Sequence, residues 1–120
     1  MTETLFTRLG GIEGIHRIAS DLVDAHMANA LINKRFAGSN VLSLKKLAAE
    51  FFVAGSGGPA DAYKGKDMLS AHRHMNISDN EFMAAVDDLM FAMTKNGLGD
   101  TEKAEALYIF YQLRPNVVGV

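Results

Sequence analysis

The chemistry this chain can offer converges on one histidine. His72 closes the stretch Tyr63-x-Gly65-x-x-Met68-x-x-x-His72, which follows the glycine-rich segment Gly55-Ser56-Gly57-Gly58-Pro59. The stretch reads as a short helix. Met68 precedes His72 by four residues and Leu69 by three, so helical spacing puts both on the face of the imidazole. Two readings of His72 are open on these grounds. It is a core histidine satisfied by one hydrogen bond, or it is the axial ligand of a haem iron. In the second case one ring nitrogen binds iron while the other donates to a carbonyl or side chain, and Met68 and Leu69 form apolar walls.

Other chemistries find less support. The chain has no cysteine, which removes disulfides, iron–sulfur clusters and thiol catalysis. Its four histidines are His16, His26, His72 and His74, and no two stand at the i, i+4 spacing of a zinc pair. His72 and His74 are two apart and point in different directions on a helix, so a protein-only zinc site lacks ligands. Asp87 and Asp88 are neighbours that point apart and read as a solvated face. No nucleophile elbow occurs, and Gly55-Ser56-Gly57-Gly58 lacks the Lys-Ser/Thr ending of a phosphate loop.

With 120 residues, 48 % of them hydrophobic and 22 % charged, the chain reads as one globular domain, 1–120. A net charge of −2 without a basic block gives nucleic-acid binding no electrostatic support. The start, Met1 to Phe6, lacks the positive and apolar regions of a signal peptide, and no stretch is long enough to span a membrane. A soluble cytoplasmic protein is expected. Seven Met and seven Phe against no Trp read as an ordinary helical core, although Met also packs on flat aromatic surfaces.

The elements that must position His72 read as helices throughout. After a turn around Leu5 and Phe6, Gly10-Gly11 opens a long helix with Ile12, Ile15, Ile18, Leu22 and His26 on one face and Val23 beside it. Asn29 and Asn33 loosen the chain before Phe36. Ser43 is the expected N-cap of the next helix, whose apolar face is Leu44, Leu47, Ala48, Phe51 and Phe52. A long loop then runs to Lys66, and long loops in compact helical domains are often functional. Ser78 to Glu81 reads as a capping box opening a helix with Phe82, Val86, Leu89, Met90 and Met93 inward. Asn96-Gly97 ends it. Asp100 or Thr101 caps the last helix, with Ala104, Leu107, Tyr108 and Tyr111 inward and Pro115 as its limit. No sheet is expected.

Taken end to end, these landmarks resemble the group I truncated haemoglobins. The residues that carry the likeness are Leu9-Gly10-Gly11, Phe36-Ala37-Gly38, Phe51-Phe52, Gly57-Gly58-Pro59, the Tyr63-to-His72 motif and Arg114-Pro115-Asn116-Val117-Val118. The resemblance implies an all-α, two-over-two helical sandwich enclosing haem b. It makes His72 the proximal iron ligand and Phe36 the aromatic wedged at the haem edge. Leu44 and Ala48 match positions facing the bound gas, Phe52 lies one turn further, and Val23 matches the position aimed at the sixth coordination site. Lys46, Lys66 and Tyr63 are the implied partners of the haem propionates.

The distal side departs from that pattern. Relatives usually carry a tyrosine at the position of Val23, often helped by a glutamine or similar group at the position of Leu44 or Ala48. Val23, Leu44, Leu47 and Ala48 offer no hydrogen-bond donor, and Leu47 is not the histidine some relatives use as an internal ligand. His26, one turn past Leu22, is a candidate donor from elsewhere, and Lys46 is another, although its family-like position aims it at a propionate. The expected function is reversible binding of O2, CO or NO by an oxygen-binding, transport-like globin rather than an enzyme, with fast release of dioxygen. The alternatives are a haem-dependent NO dioxygenase or weak peroxidase, and a haem-free sensor or interaction module. A diatomic gas and a reductase are the expected partners of a monomer or weak homodimer, with neither nucleic acid nor membrane.

Overall fold

The computed structural model describes residues 3–120; Met1 and Thr2, which begin the segment read above for a leader, lie outside it. Among the described residues there are seven α-helices: α1 Leu5–Arg8, α2 Gly11–Ala28, α3 Val41–Gly55, α4 Met68–His72, α5 Asp79–Lys95, α6 Asp100–Gln112 and α7 Arg114–Val117. A one-turn 3₁₀ helix, Asn33–Phe36, lies between α2 and α3. No strand forms among them, and the only β-type pairing is an isolated parallel bridge between Ile77 and Val118. α2 packs on α3 and on α5, α5 packs on α6, and α4 packs on α7.

Glycine makes the first corner possible. Gly10 and Gly11 have φ of 98° and 67°, the left-handed region where other residues are strained. A Cβ on Gly14 would stand 2.2 Å from the Leu9 carbonyl oxygen, so α1 folds back on α2 only over a bare backbone. α2 buries Ile15, Ile18, Ala19, Leu22 and Val23. Ile12, expected inward, is 54 % exposed because it lies in the first turn, before α2 meets its neighbours.

Two boundaries and two faces differ from what the sequence leads one to expect. α3 is capped by Asn40, whose side-chain oxygen accepts from the Ser43 N–H at 3.0 Å. Ser43 therefore lies inside the helix, at the amide that a cap satisfies. The deepest residues of α3 are Ala49, Phe52 and Val53, whereas Leu44, Ala48 and Phe51 are half-buried and Leu47 is exposed. α6 starts behind Gly99, so neither Asp100 nor Thr101 caps it. Its buried residue is Ala106, with Leu107, Ile109 and Phe110 half-buried, while Ala104, Tyr108 and Tyr111 are exposed. Apolar side chains surround most of this helix, so periodicity could not choose its inner face.

α5 follows its pattern. Ser78 accepts from the Glu81 N–H at 3.2 Å while Glu81 accepts from the Ser78 N–H at 3.0 Å, a closed capping box. Phe82, Val86, Leu89 and Met93 are buried, and Asn96 caps the end with Gly97 in the left-handed region. The apolar interior falls into two clusters. The larger joins residues from α1, α2, α3, α5 and α6, centred on Ile15, Leu89 and Met93; the smaller is Ile77, Phe82, Val86 and Val117.

Candidate functional site

His72 is the last residue of the five-residue α4. A helix this short is marginal by itself, and local contacts hold it. Asp67 caps it by accepting from the Ser70 N–H at 3.2 Å, and those bonds from Ser70 keep the Asp67 carboxyl below its ordinary range. Ahead of the cap, the Tyr63 hydroxyl donates to the Lys66 carbonyl. A Cβ on Gly65 would stand 2.5 Å from that hydroxyl oxygen, which explains the Tyr63-x-Gly65 spacing: the ring folds over a bare backbone. Burial, first of all, pushes the Tyr63 hydroxyl up from its ordinary value. Its proton is already held by Lys66, so towards a propionate it would offer packing and not a donated bond.

The imidazole itself is half-buried and its Nδ1 lies 2.8 Å from the Met68 carbonyl oxygen. A carbonyl only accepts, so Nδ1 carries the proton and Nε2 carries a free lone pair. That is the tautomer and the second bond that a metal-binding histidine requires.

The apolar residues expected at the haem surface are unusual in where they belong. Phe36, Leu44, Phe51, Met68 and Leu69 are half-buried and belong to neither core cluster, although the Phe51 ring meets Phe52 of the larger one edge-on at 5.9 Å. Val23 is 4 % exposed and also lies outside both. α3 and α4 are not among the closely packed helix pairs. Apolar side chains outside the core clusters, together with one imidazole whose second nitrogen is free, are the residue types that a flat apolar group carrying a metal would need. Phe52 differs from its expected place at that surface. It is 6 % exposed inside the larger cluster, stacked on Phe110 with ring centres 6.5 Å apart. Phe51, edge-on to Tyr63 at 5.7 Å, is the aromatic of the pair left outside the core. The sequence reading put Phe51 with its neighbour in the core stripe. Lys46 and Lys66 are exposed, whereas adjacent Lys45 is paired with Asp24 at 2.9 Å.

A second polar centre lies beneath Phe36. His26 Nδ1 is 2.7 Å from an Asp88 carboxylate oxygen, and the Asn29 amide donates to both Asp88 oxygens at 3.2 Å. The His26 ring stacks on Phe36 with centroids 5.5 Å apart and planes 8° from parallel. Asp88 is therefore buried and satisfied, and the expectation that Asp87-Asp88 forms a solvated face holds for Asp87 alone. The physical reason is that α2 lies on α5 and brings donors to the carboxylate from 59 and 62 residues away. Nothing local to α5 signals this. His26 is thereby engaged through Nδ1 and one ring face.

The helical order and packing define the class: this is a truncated globin fold. The truncated haemoglobin of Tetrahymena pyriformis in its Fe(III) form matches with a TM-score of 0.93 at 24 % identity, over 98 % of this chain and all of that one. The 2/2 haemoglobin of a Synechococcus species, solved with covalently attached haem, matches with a TM-score of 0.89 at 20 % identity, over 97 % and 98 % of the two chains. The chain belongs to the family described as bacterial-like globin, whose model matches residues 4–118. A group 1 truncated haemoglobin of Tetrahymena thermophila is 28 % identical over 116 residues, 97 % of this chain and 95 % of that protein. One from Mycolicibacterium paratuberculosis is 27 % identical over 114 residues, 95 % and 83 % of the two.

Proposed function

We propose that this chain holds haem b through His72 and reversibly binds a diatomic gas on the opposite, donor-free side. The observation that carries the reading is the His72 geometry, Nδ1 bonded to the Met68 carbonyl and Nε2 free, supported by a set of half-buried apolar side chains that belong to no core cluster. When bound, haem supplies a ferrous iron with one position for a small gas. Phe36, Leu44, Phe51, Met68 and Leu69 supply the apolar surface, and exposed Lys46 and Lys66 are the cations available to propionates. No helix among the described residues is long and apolar enough to cross a membrane.

Val23, Leu44, Leu47 and Ala48 contribute no donor, so the pocket favours CO and NO relative to dioxygen, whose polarised form gains most from a hydrogen bond. The same lack of an acid or base disfavours peroxidase chemistry. Sustained NO consumption with a reductant, beyond one stoichiometric event, would support the enzyme reading instead. A colourless protein that folds fully without haem would support the haem-free one. The central test is reconstitution with haem. A Soret band is expected, and His72→Gly should abolish or strongly shift it; an unchanged spectrum in that variant removes the assignment.

A further inference from the structure

Arg35 stands beside Phe36 in the 3₁₀ helix, and its guanidinium reaches two other segments. Nε and Nη2 grip both carboxylate oxygens of Glu81, the Nη2 arm at 2.9 Å. Nη1 donates to the Met75 carbonyl at 2.9 Å. Met75 is three residues past His72, and its own N–H donates to the His72 carbonyl at 3.2 Å. One side chain thus links the segment carrying Phe36 to the segment carrying His72.

Both ends of this link are fixed. Ile32, just before the 3₁₀ helix, is buried, and its carbonyl accepts from the Arg35 N–H at 3.1 Å. Glu81 is held by the capping box of α5, where it also accepts from the Ser78 N–H. The loop between needs outside support. His74 and Asn76 have φ of 70° and 48°, a conformation that residues with side chains adopt at a cost of roughly 1–2 kcal/mol. On its far side the loop is tied to the chain end, Asn76 N–H to the Val120 carbonyl at 2.8 Å and Gly119 N–H to the Ile77 carbonyl at 2.9 Å. On its near side the link is Arg35.

We propose that Arg35 is a positioning residue for the prosthetic group: its fork sets the separation between the Phe36 wall and the His72 loop. This rests on the haem reading above and adds to it a residue that touches neither iron nor gas. A planar five-donor guanidinium can hold a carboxylate and a carbonyl together, which an ammonium does less well. Arg35 therefore governs haem retention and the set of the His72 ring.

The test uses the full chain reconstituted with haem, as wild type, Arg35→Gln, Arg35→Lys, Glu81→Gln and the double variant Arg35→Gln/Glu81→Gln. Three quantities are measured: haem transfer to excess apomyoglobin, the ferrous iron–histidine stretching band by resonance Raman, and the thermal midpoint of the haem-free chain. Arg35→Gln should speed haem loss about tenfold, the lower range for residues behind a metal ligand, and shift the iron–histidine band. Arg35→Lys should recover part of both effects. Glu81→Gln should act in the same direction, and the Arg35→Gln/Glu81→Gln pair should fall short of additive. If Arg35→Gln does not fold, Glu81→Gln and Arg35→Lys carry the same readouts. Wild-type haem loss and an unmoved band in Arg35→Gln overturn the proposal. So does a lowered haem-free midpoint with an unmoved band, because Arg35 would then be structural only. Failure of the haem reading is distinguishable: the wild type itself would take up no haem, or His72→Gly would keep the wild-type band.

Discussion

At the scale of single residues, the two sides of the proposed iron differ in kind. On one side His72 is poised by a single bond to its own helix, and its free Nε2 is the chemistry. On the other, Val23, which the family resemblance aims at the sixth coordination site, is a buried aliphatic side chain with no donor. Val23→Tyr is expected to slow dioxygen release roughly 10- to 100-fold, the worth of a hydrogen bond to a charged or strongly polarised group; stopped-flow displacement by CO measures it. An unchanged rate would mean that another group already donates. Asp88 sets a different expectation. Its side chain and that of His26 are each only 12 % exposed, and the carboxylate satisfies donors from His26 and Asn29. Asp88→Ala strands those donors and should cost about 2–4 kcal/mol in urea unfolding. A loss below about 0.5 kcal/mol would show that water replaces the carboxylate. Residue types alone left His72 open between a core histidine and an iron ligand; they were silent on Asp88, whose partners are remote in sequence.

At the scale of elements, caps and corners decide where helices begin and how they meet. The α5 capping box and the loop after His72 share Glu81. Hydrogen bonds from Arg35, then from Ser78, bring its carboxyl down to about 2 from an ordinary 4.5. A carboxyl lowered in the folded state binds fewer protons there than in the unfolded state, so its contribution is fully present above 4.5 and is lost as pH falls from 4.5 toward 2. Acid unfolding of Glu81→Gln should therefore be flatter than wild type across that window, with the difference largest at neutral pH. Parallel curves would mean that the pairing is equally strong in the unfolded chain. Gly14 governs the α1–α2 corner. Gly14→Ala would force a Cβ against the Leu9 carbonyl and should destabilise by roughly 1–3 kcal/mol despite the better helix propensity of alanine. Thermal unfolding reads this directly.

At the scale of the whole molecule, the interior is two clusters with an apolar set outside both, and the prosthetic group is expected to complete it. Haem added to the haem-free chain should raise the unfolding free energy with concentration, by about 2.7 kcal/mol at a hundredfold excess over its Kd. Amide exchange should slow most in α3, α4 and the loop after His72. A midpoint indifferent to haem would count against the cofactor. By itself the sequence determined what is written in local spacing. That includes the helical class, the α5 cap and core face, the glycine corners, the short helix ending in His72 and the motif order of the family. It also determined that Val23, Leu44, Leu47 and Ala48 bring no donor. Only the tertiary structure decided which face of α3 and α6 turns inward, because apolar residues there cover more than one face and packing partners select among them. It likewise decided that Phe52 joins the core while Phe51 does not, that Asp88 is buried against His26 and Asn29, and that Arg35 reaches Met75 and Glu81. The physical reason is common to all of these. Periodicity and capping are local, whereas burial and the pairing of remote polar groups exist only once distant segments have been brought together.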